Sequence, residues 1–295
     1  MADETNEINI NYSELKIFKE YNSKDINFPI ILSVPHAGTL LPQEFIDNSP
    51  CTVEELRSNE DSFVDELVQN ASNLGIPMIS MNIARAFVDV NRDKIEIDPT
   101  MYFDYPSETD DGCGRLCRVG LGVIHRITAN NKNIYRGPIS YPEVLKRFEH
   151  VYDPYHKRLQ QLVDKVLRKF GICFVLDCHS MPSKICNLMH EAKEIQFCLG
   201  TLFEQSAPKE ICETLYQTLT DKGYRVMYDC PYSGAFITFN YCQPRKKVYT
   251  LQLEANRDLY MIENKHHKNH NFQKVSTDLC DSIMVLANFL LDFNK

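Results

Sequence analysis

Residues 174–183 read "FVLDCHSMPS". With Ile172 and Cys173 before them, they form an apolar run opened by Gly171 that ends in an acid, a thiol, an imidazole and a hydroxyl. Ile172–Leu176 is predicted to be a short strand of a sheet covered on both faces. Asp177, Cys178, His179 and Ser180 then read in three ways: a nucleophile with its base, a metal ligand with its neighbours, or an ordinary strand end. Successive side chains on a strand point to opposite faces, so adjacent Cys178 and His179 make a poor nucleophile–base pair. The G-x-S-x-G elbow that would expose a serine is absent. His179 as a metal ligand, oriented by the groups around it, is the better reading.

Working outward, strands alternate with helices along the whole chain. Pro29–Val34 ("PIILSV") reads as a buried strand. Asp61–Leu74 reads as a helix with Phe63, Val64, Leu67, Val68 and Ala71 on one face, closed by Gly75. Strands are predicted at Ile76–Met81 and Ala86–Val90, and residues 98–137 as a long irregular region. Pro142–Phe170 carries a helical pattern that places Leu145, Phe148, Tyr152, Leu159, Leu162, Val166 and Phe170 inward, with Pro154 kinking or splitting it. Further elements are expected near Lys209–Lys222 (helix), Tyr224–Tyr228 and Val248–Glu254 (strands) and Val275–Phe293 (helix). No repeat, low-complexity segment or Gly/Ser linker divides residues 1–295, which predicts a single α/β domain three layers deep.

Composition narrows the class. The 295 residues are 43% hydrophobic and 24% charged, ordinary for a globular protein with a sizeable core. No apolar run approaches the roughly 18 residues of a membrane helix, and the acidic start "MADETNEINI" is neither a secretory signal nor a transit peptide. A formal charge of −8 argues against a nucleic-acid partner and requires local arginines for any anionic small molecule. The eleven cysteines are odd in number with no C-x-x-C pair, which reads as buried reduced thiols in a cytoplasmic protein. Nothing indicates an oligomeric state.

Two histidines hold equivalent places. His36 in "SVPHAG" and His179 in "LDCHSM" each follow an apolar strand, and open α/β sheets bind ligands at the carboxyl ends of their strands. The pair Glu60-Asp61 opens a helix, where acids also serve as caps. One of these carboxylates with the two histidines would make a three-ligand set with an open position, the pattern of a catalytic zinc site. "RAFVDVNR" groups Arg85, Asp89, Asn91 and Arg92 on and just beyond an apolar strand, and Arg with Asn is a natural fork for a carboxylate. Glu254 closes the run "VYTLQLE", where a carboxylate suits a general base.

Taken together, these stretches resemble the N-formylglutamate amidohydrolase family. The matching pieces stand in family order: "SVPHAGTLLP", "NEDSFVDEL", "RAFVDVNR", "VGLGVIHRI", "IYRGPIS", "YDPYHKRL", "LDCHSMPS", "GAFITFNY" and "LQLEANRDLYM", spanning roughly residues 30 to 262. The resemblance implies kinship with zinc carboxypeptidases and aspartoacylases. It implies a three-layer α/β/α sandwich with a mostly parallel or mixed central sheet, phosphorylase/hydrolase-like. It also implies one Zn2+ per chain, or another divalent metal, on His36, Asp61 and His179. Asp61 is preferred to Glu60 because it matches an aspartate in the family's "D-T-D-W" version of the stretch.

The further implications concern roles. Glu254 matches the general base, Arg85 the arginine near the scissile carbonyl, and Asn91-Arg92 the pair holding a substrate carboxylate. Arg136 and His156 are additional substrate-binding candidates. The implied activity is hydrolysis of the N-formyl amide of an acidic amino acid such as N-formyl-L-glutamate, a step of histidine degradation. The alternatives are a deacylase or peptidase with another acyl or peptide substrate, or a non-catalytic binding protein. Three departures stand out: Phe239 where the family often has arginine, Cys242 where it has glycine, and Ser62 where many members have tryptophan.

Overall fold

A computed structural model describes residues 10–106, 112–188 and 195–293. It divides into two compact units. One comprises Met1–Phe18, Gly38–Glu60 and Met81–Lys157; the other comprises Lys19–Ala37, Asp61–Ser80 and Arg158–Lys295.

The second, larger unit is built on a seven-stranded sheet. Its strands are β1 (Phe18–Tyr21), β2 (Ile30–Val34), β3 (Met78–Met81), β4 (Cys173–Met181), β5 (Phe197–Gly200), β6 (Val226–Tyr228) and β7 (Val248–Asn256), in the order β1-β3-β2-β4-β7-β5-β6. β3, β2, β4 and β7 run parallel, as do β5 and β6, while β5 meets β7 antiparallel, so the sheet is mixed. Every residue of β2, β3, β4 and β5 is buried, as expected for strands covered on both faces.

Register sorts the side chains. Ser33 pairs with Asp177, Asp177 with Gln252, and His179 with Glu254, so these polar residues share one face. The alternating set Leu32, Val34, Phe174, Leu176, Cys178, Leu251 and Leu253 forms the apolar core on the other. That core is completed by Val64, Leu67, Val68 and Ala71 of the helix Val64–Asn73, by Ile211 and Leu215 of Lys209–Asp221, and by Leu279, Ile283 and Leu286 of Phe272–Phe293. On the polar face, Thr250 Oγ1 of β7 donates to the Thr238 carbonyl of the short helix Phe236–Asn240 at 2.6 Å. The architecture is an α/β/α sandwich with a mixed central sheet.

The smaller unit lacks a regular sheet among its described residues and is organised around a buried cation. Arg147 is fully buried. Its Nε donates to Glu143 Oε1 at 2.8 Å, and Nη1 donates to the Phe87 carbonyl and the Tyr135 hydroxyl at 2.9 and 2.8 Å. The guanidinium also lies 4.3 Å from the centroid of the Phe87 ring. Gly38 is required here, because a Cβ would come within 2.4 Å of the Ile83 carbonyl oxygen.

Several boundaries differ from the sequence reading. β4 continues through Asp177–Met181 instead of stopping at Leu176, because β7 pairs with it residue for residue to Asn256. The helix expected from Asp61 begins at Val64. The Asp61 N–H donates to the His36 carbonyl at 3.0 Å, and Phe63 adopts φ 66° before the helix can start.

Ala86–Val90 is buried but is not a strand. Turns fold it back on itself, with Phe87 N–H donating to Ala84 and Arg92 N–H to Asp89. The pattern over Pro142–Phe170 is split into a helix Tyr141–Arg147, a π-helical turn Phe148–Tyr152 and a helix Asp153–Phe170. Pro154 lacks a backbone donor and excludes the carbonyl four residues before it, which accounts for the break. The extra residue in the turn shifts the helical phase, so Leu145 faces outward at 46% exposure while Val144 is buried. Among the described residues no helix is long and apolar enough to cross a membrane.

Candidate metal centre

At the carboxyl ends of β2 and β4, in the larger unit, His36, Asp61 and His179 converge. All three are buried, and one donor atom from each lies within 4.8 Å of the others. Asp61 Oδ2 is 3.3 Å from His36 Nδ1 and 2.9 Å from His179 Nδ1. The backbone link from Asp61 N–H to the His36 carbonyl fixes two of the three to each other.

His179 and Asp61 are oriented from behind. His179 Nε2 lies 2.8 Å from Asp177 Oδ2, and Ser33 Oγ donates to Asp177 Oδ1 at 2.9 Å. A carboxylate against Nε2 keeps the proton there and turns the Nδ1 lone pair toward the centre, the usual support of a metal-ligating histidine. The outer oxygen of Asp61, Oδ1, accepts from Arg257 Nη2 at 3.1 Å and from Ser180 Oγ at 3.3 Å.

The donor set fits a divalent cation. Two imidazole nitrogens and one carboxylate oxygen are typical zinc ligands, and tetrahedral bonds of about 2.0–2.1 Å separate neighbouring donors by about 3.3 Å. The 3.3 and 2.9 Å separations are of that size. Without a cation, a proton takes its place. Burial alone would lower the His179 pKa, but Asp177 and Asp61 overcome it and hold the imidazolium well above its usual range. Burial alone would likewise raise Asp61, but His179 and His36 hold it well below the usual carboxylate range. A metal that binds here displaces that proton.

Glu254 stands on β7 opposite His179 and is 5% exposed. Gln252 Nε2 donates to its Oε1 at 2.7 Å, while its buried Oε2 has no hydrogen-bond partner among the described residues. Burial pushes this carboxyl up to about 7, with His179 pulling down and Asp61 pushing up. A carboxyl with one oxygen anchored and the other open, titrating near neutrality, has the properties of a general base.

The remaining sequence candidates lie in the smaller unit. Arg85 reaches Asp89 Oδ2 with Nε and Nη2 at 3.2 and 2.6 Å. The same oxygen lies 3.2 Å from His125 Nε2, and Asn91 N–H donates to Asp89 Oδ1 at 2.8 Å. Arg92 donates to the Leu121 and Asn91 carbonyls, Arg136 to the Ser49 carbonyl, and His156 Nε2 lies 2.8 Å from the Val90 carbonyl. Glu60 pairs with Arg57 through both carboxylate oxygens at 2.8 and 3.1 Å.

Sequence reasoning passed over Arg257, Gln252 and His125, and it grouped Asp89 with its neighbours without giving it a role. Arg257 had a visible signal: it closes a second Asn-Arg dipeptide, three residues after Glu254, as Arg92 closes the first.

Comparison with known proteins gives a consistent result. The N-formylglutamate amidohydrolase family profile matches residues 28–261. The N-formylglutamate deformylase of Pseudomonas putida is 28% identical over 243 residues, covering 80% of this chain and 82% of that protein. The Pseudomonas aeruginosa deformylase is 27% identical over 241 residues, with 80% and 83% covered. Among solved structures, the N-formylglutamate amidohydrolase of Ralstonia eutropha JMP134 superposes with a TM-score of 0.88 at 27% identity, covering 94% of this chain and 99% of that one. With the profile spanning most of its length, the chain belongs to the N-formylglutamate amidohydrolase family, a family of hydrolases acting on amide C–N bonds.

Proposed function

We propose that this chain is a zinc-dependent amidohydrolase that removes the formyl group of N-formyl-L-glutamate, with residues 1–295 acting as one cytoplasmic catalytic domain. The observation that carries this is the convergence of His36, Asp61 and His179 beside a buried carboxyl, Glu254, with one oxygen open. The family relationship and the deformylase names of the Pseudomonas relatives support the substrate.

His36, Asp61 and His179 hold the metal, which when bound supplies Lewis acidity toward water and the acyl carbonyl. Glu254 Oε2 takes a proton from the attacking water and returns it to the departing nitrogen, so the amine leaves neutral. Gln252 keeps that carboxyl in one orientation by holding Oε1. Arg85 is assigned the oxyanion, a role typically worth about 2.7–4 kcal/mol per donor. Asn91 and Arg92 are assigned the substrate carboxylate, with Arg136 and His156 as further binding groups.

Phe239 favours a second reading within the same chemistry. It is 72% exposed at a position where the family often carries arginine, so a less anionic acyl-amino acid suits that surface. A panel of N-formyl, N-acetyl and N-succinyl derivatives of glutamate, aspartate and leucine separates the two. The proposal expects the highest kcat/KM on N-formyl-L-glutamate; a preference for the leucine compounds would reject the acidic substrate.

A further inference from the structure

We propose that Arg257 is a positioning residue of the metal centre: it ties up the outer oxygen of Asp61, so that Asp61 offers a bound cation one oxygen instead of two. The inference rests on the metal reading of His36, Asp61 and His179.

The two oxygens of Asp61 have separate partners. Oδ2 faces His36 Nδ1 and His179 Nδ1, whereas Oδ1 accepts from Arg257 Nη2 at 3.1 Å and Ser180 Oγ at 3.3 Å. Arg257 Nε donates in turn to Ser180 Oγ at 3.1 Å, closing a triangle of guanidinium, hydroxyl and carboxylate. A carboxylate with a free second oxygen readily turns to bind a cation through both. One held by a charge-assisted hydrogen bond does not, because such bonds are roughly twice as strong as neutral ones. One-oxygen ligation by Asp61 leaves a coordination position for water and substrate, the feature that separates catalytic from structural zinc sites.

Arg257 is itself held in place. It begins a 3-10 turn directly after β7, where Asn256 Oδ1 accepts from the Asp258 N–H and Asn256 Nδ2 donates to the Ile195 carbonyl. The Tyr260 hydroxyl, at the end of the same turn, donates to the Ser62 carbonyl at 3.0 Å. The segment carrying Asp61 therefore has a second tether that survives loss of the guanidinium.

The test is cobalt substitution of wild type, Arg257→Gln, Arg257→Lys and Ser180→Ala, read by visible absorption, metal affinity against a chelator, and kcat and KM after zinc loading. Wild type is expected to show the intense absorption of four-coordinate Co(II). Arg257→Gln is expected to retain metal with less than about a tenfold change in affinity, because the freed Oδ1 replaces what orientation loses. Its absorption weakens as coordination rises, and kcat falls about 10–100-fold with KM little changed. Arg257→Lys restores part of both signals, and Ser180→Ala moves both in the same direction by less. An unchanged spectrum and kcat in Arg257→Gln would overturn the inference. So would weakened affinity with an unaltered spectrum per bound metal, which would make Arg257 a structural tether. A wild type that takes up neither Co(II) nor Zn(II) overturns the underlying metal reading as well, and so fails in a recognisably different way.

Discussion

His179 Nε2 lies 2.8 Å from Asp177 Oδ2, two residues back along the same strand and on the same face. The contact sets the tautomer that turns Nδ1 toward Asp61. Replacing Asp177 by Asn keeps the volume but removes the charge that holds the proton on Nε2. Asp177→Asn is expected to lower metal affinity or activity about 10–100-fold, typical for partners of ligating histidines. Chelator competition measures it; affinity and kcat both equal to wild type would show that Asp177 serves packing alone.

Glu254 predicts the acid limb of the pH profile. A general base works when deprotonated, so kcat/KM falls as pH drops through its pKa. Burial raises that pKa from 4.5 to about 7, and a cation in the centre adds an opposing charge that lowers it again. The acid limb is therefore expected between these two values. Gln252→Leu removes a donor to the charged carboxylate and should move the limb to higher pH. Glu254→Gln should keep the metal and lose turnover. A limb unmoved by Gln252→Leu would argue that another group sets it.

His125 predicts how stability depends on pH. Its Nε2 faces Asp89 and its Nδ1 faces the Asn59 amide, an arrangement that suits neutral imidazole. Burial is the largest influence and, with Arg85, outweighs the attraction of Asp89, lowering the pKa from 6.5 to about 4. Between those values the unfolded chain binds a proton that the folded chain does not. The stability contribution is thus complete above about pH 6.5 and is lost as pH falls toward 4, in all about 3 kcal/mol. Urea midpoints of the metal-free protein at pH 7 and 4.5 should differ more for wild type than for His125→Gln. Parallel behaviour would exclude His125 as the cause.

Arg147 predicts a large structural effect in the smaller unit. Removing one partner of a buried ion pair strands the other, so Arg147→Met should destabilise by about 3–5 kcal/mol. Arg147→Met combined with Glu143→Leu should recover much of that loss. Chemical denaturation measures both, and a double variant no more stable than the single one would contradict the account.

The fold was largely legible because strand and helix periods differ. β2, β4 and β7 announce themselves as apolar runs, and the helices facing their apolar side repeat at helical spacing. The errors arose where burial and local shape part company. Ala86–Val90 is as apolar as a strand but is folded into turns, and Leu145 fits a continuous helical phase that the π turn at Phe148–Tyr152 interrupts. Of the centre, His36 and His179 were visible as polar ends of apolar strands. Gln252 and Arg257 act through other side chains, and a single sequence does not record which side chains meet. The contacts of Asp89 to Arg85 and His125 were hidden for the same reason, since they cross 4 and 36 residues of chain.

The most direct test joins metal content to turnover. Wild type and His179→Ala would be reconstituted with zinc, dialysed, and assayed for bound metal and for hydrolysis of N-formyl-L-glutamate. The account predicts about one zinc per wild-type chain with measurable hydrolysis, and loss of both in His179→Ala. A reconstituted wild type that holds no metal, or a His179→Ala variant that keeps both metal and turnover, would contradict it.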